Sequence, residues 1–362
     1  MLFCYVADAN DDNWLHETIL QMLFAGMDAI DGGGAASQWP QCIPADRVDE
    51  LAGRTGLRDR LASFLGFYEQ LSQQEREAVR AAIPIQNAFP ALFDGESDWV
   101  RLSDLPDGIR VPAKELFEYL FKLLVPTGLR DKHYKKIYAA LPARVCPFCG
   151  VERLDAPGQP REDLDHYLPL SIYPFAGANL RNLSPMGGRC NTSFKHTADI
   201  IFDSESHARR RCSDPYGGPT FEISLANSVP FAGEKVGSIS CPAWHIDLMG
   251  DDPEAASTWN SVFKIKERYI LSHLNPEFRD WMSHFANWCA LLGQPVANRD
   301  EMVAIIEQYL SMSIQEGMAD SAFLKRAMFR MLRDRCADGG QSDRLVQWLS
   351  DLISIHSQPA AA

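Results

Sequence analysis

Several things are scarce in this 362-residue chain. No uncharged apolar run is long enough to cross a bilayer. The opening Met1-Leu-Phe-Cys-Tyr-Val-Ala-Asp8 has no basic start and turns acidic early, so neither a secretory leader nor a membrane partner is expected, and the expected location is the cytoplasm. Nine cysteines are an odd number and lack the dense, regular spacing of a disulfide scaffold. Five of them (Cys4, Cys42, Cys241, Cys289 and Cys336) sit in apolar or helical surroundings and read as small buried thiols. Strand-forming patterns are few, and no repeat period is evident.

Positive charge is also short, with 35 Lys/Arg against 48 Asp/Glu and a formal net charge of -13. Taken whole, that balance argues against phosphate contacts. Its distribution argues otherwise. Residues 127–212 carry 13 Lys/Arg and 9 Asp/Glu, leaving 22 basic and 39 acidic groups for the rest. The segment is a basic island in an acidic chain, a pattern that suits a regulated enzyme, one delivered by a basic partner, or a surface kept acidic for solubility. Hydrophobic content of 46% is enough for a sizeable core.

Helical periodicity predicts helices over 13–30, 45–51, 57–71, 74–82 (ending before Pro84), 112–124, 127–141 and much of 253–353, with loops and short strands over 213–241. Aromatics at helical spacing in the last region, such as Trp259, Phe263, Trp281 and Phe285, read as core rather than as base-stacking platforms. The expected class is mainly α with a small embedded module, α+β overall. The expected regions are 1–126 (helical), 127–212 (the module) and 213–362 (short strands, then helices).

What is present lies between 146 and 195. In order the chain reads Cys146-Pro-Phe-Cys149, Leu164-Asp165-His166-Tyr-Leu-Pro169, Asn182-Leu183-Ser-Pro185, Cys190-Asn191 and Lys195. The Cys-x-x-Cys suggests a metal knuckle, and Asp165 beside His166 supplies a carboxylate and an imidazole. Hydrolysing a phosphodiester needs an activated water and a cation for the developing charge. His166 suits the first task, with an ordinary pKa near neutrality. Asp165 and Asn191 offer oxygen ligands for Mg²⁺ or Mn²⁺.

This ordered set resembles the HNH family of endonucleases, whose ββα-metal module carries Asp-His on a first strand, an Asn on the second, and a metal-binding His or Asn on the short helix. The resemblance spans some fifty residues. It implies that His166 is the general base, that Asp165 and Asn191 hold the ion, and that Asn182 fixes the loop between the strands and orients His166 by a hydrogen bond. Lys195 stands where some members place another metal-binding His; it reads as a phosphate contact, or as a solvated helix residue. Gly187 replaces the first Cys of a second knuckle, leaving Cys146, Cys149 and Cys190 one ligand short of a closed zinc site. Cys212, after Arg209-Arg210-Arg211, is the first candidate for the fourth position, with His196 and His207 as alternatives and plain packing of the thiols as another. Leu-Asp-His-Tyr-Leu-Pro and Tyr173-Pro174 resemble a subgroup found in prokaryotic antiphage defence and restriction, sometimes beside an ATPase partner.

The expected function is therefore a divalent-metal-dependent endonuclease acting on nucleic acid, DNA more than RNA. A different reading is a non-catalytic zinc adaptor that binds a protein partner through its helical arms. A sequence-specific DNA-binding module is disfavoured, because no recognition helix with a polar reading face is visible.

Overall fold

The computed structural model describes the whole chain apart from residues 160–163, 237–238, 294–295, 297, 315–316, 339–341 and 358–362. It divides into two compact units, the first built mainly from Phe3–Phe148 and Arg153–Pro219 and the second mainly from Thr220–Ala362. Regions 1–126 and 127–212, separate in the sequence reading, thus fall in one unit, and the division comes after Pro219. The chain is mainly helical with small two-stranded sheets. No described helix is long and apolar enough to cross a membrane.

In the first unit, α1 (Trp14–Asp31), α2 (Val48–Leu51), α3 (Thr55–Glu69), α4 (Gln73–Gln86), α5 (Asp107–Leu123) and α6 (Leu129–Ala140) enclose one apolar core. Two helices outrun their sequence limits. α4 continues through Pro84, and α5 begins at Asp107 with Pro112 inside it. A proline in a helix interior removes a backbone hydrogen bond at a cost of roughly 3 kcal/mol. In α5 the burial of Ile109, Pro112, Ala113, Leu116 and Phe117 along one face offsets that cost. In α4 the proline falls in the last turn, and a capping box between Ser72 and Glu75 secures the other end.

Two short strands, β1 (Leu164–His166) and β2 (Leu183–Pro185), pair antiparallel, with Asp165 opposite Ser184 and His166 opposite Leu183. A six-residue π-helical turn, Cys190–Lys195, follows them. The loop between the strands is pinned to the helices. Phe175 inserts among them, edge-on to Phe64 at 6.3 Å and to Phe117 at 5.5 Å. Its backbone N–H donates to the Gln86 side chain (2.9 Å) and its carbonyl accepts from the Asn87 side chain (3.0 Å). Asn179 joins the Asn13 and Asn87 amides at 3.1 and 2.9 Å. A small pair, β3 (Phe202–Asp203) and β4 (Ala208–Arg209), lies later in this unit.

The second unit begins with the antiparallel strands β5 (Glu222–Ser224) and β8 (Asp247–Met249), and β6 (Lys235–Val236) with β7 (Ile239–Ser240). It continues as α7 (Pro253–Phe263), α8 (Ile265–Tyr269), α9 (Asn275–Leu292), α10 (Arg299–Met312), α11 (Ala322–Ala337) and α12 (Ser342–Ser357). Asp252 and Asn298 cap α7 and α10 by accepting backbone N–H bonds. Trp259, Phe263, Trp281 and Phe285 are buried, as the core reading requires.

His16 packs on the inner face of α1, edge-on to Phe117 at 6.3 Å, and burial lowers its pKa to about 4. In an unfolded chain the imidazole titrates near 6.5. The unfolded state therefore binds the proton first, so this contribution to stability is present above about pH 6.5 and is lost as pH falls toward 4. Chemical unfolding should show wild type losing about 2–3 kcal/mol more than His16→Leu between about pH 7.5 and 4.5. Equal losses would rule this account out.

Candidate functional site

β1 delivers Asp165 and His166 to the floor of a cleft of about 470 Å³, walled by α5 on one side and by Lys195, His196 and Thr197 on another. The His166 ring lies 4.3 Å from the Phe121 ring of α5. Its Nε2 is 2.8 Å from the Gly177 carbonyl. A carbonyl only accepts, so Nε2 carries the hydrogen and Nδ1 keeps its lone pair. Burial lowers the imidazole's pKa to about 4, so it is neutral at physiological pH.

Asn182 is fully buried at the end of that loop. Its side-chain oxygen accepts from the Leu168 N–H (2.7 Å), and its amide donates to the carbonyls of Leu168 (3.0 Å) and Ala176 (3.2 Å). The expected loop-fixing contacts are present. The expected hydrogen bond to His166 is replaced by an indirect link: Asn182 holds the Ala176 carbonyl, and the carbonyl of the next residue, Gly177, receives His166.

Lys195 departs further from expectation. Its ammonium is 1% exposed and lies 2.7 Å from Asp165 Oδ2, so it is neither a solvated helix residue nor a cation presented to a ligand. The physical reason is the burial of Asp165: desolvation raises the carboxyl pKa, and Lys195 is the main influence opposing it. Asn191 does not line the cleft. The described contacts involve its backbone, whose carbonyl accepts from His196 N–H at 2.7 Å. Of the expected pair of metal ligands, Asp165 lines the cleft and Asn191 is not among its lining residues.

Cys146, Cys149 and Cys190 do converge. All three are buried, and their sulfurs lie within 4.8 Å of one another. Gly150 turns the chain after Cys149 at φ +70°, and the Glu152 N–H points at Cys149 Sγ at 3.5 Å. The group fits a soft-metal site and could bind an ion such as zinc. Cys212 lies outside it among the described residues, which corrects its assignment as fourth ligand. Its N–H is committed to the Phe93 carbonyl at 3.0 Å, and burial raises its thiol pKa.

Sequence reasoning missed the α5 wall, with Lys114, Phe121 and Lys122, because the motif begins after that helix. It also weighed His196 only as a zinc ligand. His196 leaves the π-helical turn at φ +45°, exposed at the cleft, immediately after the buried Lys195. Comparison with protein-family models, with curated proteins and with solved structures found no match.

Two measurements test this geometry. Metal analysis of purified protein should find about one zinc per chain, retained in Cys212→Ser and lost in Cys190→Ser; loss in the first variant would restore Cys212 to the site. Asn182→Ala should lower unfolding free energy by about 2–4 kcal/mol, because the buried partners lose three hydrogen bonds. Asn182→Asp should fare no better, since a carboxylate cannot donate to Leu168 and Ala176.

Proposed function

We propose that the cleft hydrolyses phosphodiester bonds in nucleic acid, DNA more than RNA, as an HNH-type endonuclease. One observation carries this reading: a neutral imidazole with Nε2 committed to a carbonyl and Nδ1 available, beside a buried carboxylate, at the floor of a cleft with lysines on its wall. His166 Nδ1 takes a proton from water as the water oxygen attacks phosphorus and the bond to the leaving oxygen breaks, and a solvent water returns a proton to that leaving oxygen. The Gly177 carbonyl then stabilises the imidazolium through Nε2–H. Phe121 restricts the tilt of the ring.

Mg²⁺ or Mn²⁺ in such a site would neutralise charge on the leaving oxygen. The expected ligand pair does not fit it as found, because Asp165 is held by Lys195 and Asn191 is off the cleft. No step here runs through an ion. The same Asp165–Lys195 pair favours a second reading, a non-catalytic adaptor whose metal is structural.

Wild type and His166→Ala incubated with plasmid DNA, single-stranded DNA and RNA, each under Mg²⁺, Mn²⁺ or chelator, separate the two. Cutting by wild type, lowered about 10²–10⁴-fold in the variant, supports hydrolysis at this cleft. Absence of cutting under every condition, with zinc retained, supports the adaptor. Equal cutting by both proteins removes His166 from the mechanism.

A further inference from the structure

With Lys195 turned inward onto Asp165, the phosphate contact expected of it must come from elsewhere. The exposed lysines on the cleft are Lys114 and Lys122, both on α5. Phe121 sets its ring 4.3 Å from that of His166, tilted at 53°, and Lys122 lines the same cleft as the imidazole. Lys122 has no carboxylate partner among the described residues. Eight residues separate the two lysines, about 12 Å along the axis, so they reach different phosphates of one strand. Between them is Glu118, whose carboxylate lies 3.7 Å from the Lys114 ammonium.

We propose that α5 is the backbone-binding wall of the site, with Lys122 and Lys114 each holding a phosphate of one DNA strand on the same side of the reacting bond. This rests on the nuclease reading above. A wall built from point charges grips phosphates and not base edges, so the sequence preference it confers is weak. Approach of the strand sets the Lys114–Glu118 pair against a phosphate, so Glu118 limits affinity.

The test is equilibrium binding of a short mixed-sequence DNA duplex in a His166→Ala background, where the DNA stays intact, across roughly 0.05–0.2 M salt. Replacing Lys114 and Lys122 together by Gln should lower the salt slope by about 1.8 and weaken binding about 60-fold near 0.1 M salt, at about 0.9 per phosphate contact. Glu118→Gln should tighten binding. Lys132→Gln with Lys135→Gln on α6 makes the same change in net charge off the cleft and should cost far less. An unchanged slope in the α5 variant, or an equal loss in the α6 variant, overturns the inference even if wild type cuts DNA. Wild type that neither binds nor cuts DNA overturns both this inference and the nuclease reading.

Discussion

The geometry of the site depends on holding one loop, 167–182, against the helical core. β1 and β2 are three residues each, too short to fix a side chain by pairing alone. What holds them in place is the loop that joins them: Phe175 is buried between α3 and α5, and Asn182 closes the loop with three side-chain hydrogen bonds. Because Asn182 also holds the Ala176 carbonyl, the Gly177 carbonyl is fixed where His166 Nε2 can reach it. The tautomer of the imidazole is thus a consequence of core packing several residues away.

Beside it, Asp165 and Lys195 form a pair that is expensive to bury. Removing both charges from water costs several kcal/mol, and attraction at 2.7 Å recovers that only because the geometry is close. Removing either partner alone would leave an uncompensated buried charge. The pair therefore ties the π-helical turn to β1, and the carboxylate already has a cation before any ligand arrives. Any cation at this carboxylate would have to compete with an intramolecular partner.

Much of this was legible from residue order. Helical periodicity located α1, α3, α6 and most of the second unit, because each buries one continuous apolar face. Asp165-His166 falls on a strand and Asn191 on a short helical turn, as their order suggested, whereas Asn182, expected on the second strand, ends a short 3-10 turn immediately before it. What escaped was set by three-dimensional neighbours. Pro84 and Pro112 carry a local signal for a break, and burial of the surrounding faces overrides it. Lys195 reads as exposed because lysine usually is; only the depth of Asp165 explains its burial. Cys212 reads as a ligand by its type and local charge, yet its backbone is bound to the Phe93 carbonyl, a contact across more than a hundred residues.

Charge shows the same division between local and spatial information. The sequence places its excess of positive charge in 127–212, but several of those groups serve internal contacts: Lys195 faces Asp165, Arg181 pairs with Asp214, and Arg210 lies 3.7 Å from Asp203. Such groups neutralise their own fold and have little left for a ligand. Lysines on α5, in a stretch of chain that is acidic overall, remain exposed at the cleft. A net charge of -13 is then compatible with an anionic substrate, because potential at short range is set by the nearest groups and more distant charge is screened beyond about 10 Å at ordinary salt. Near His166 the exposed groups of the wall outweigh the bulk balance.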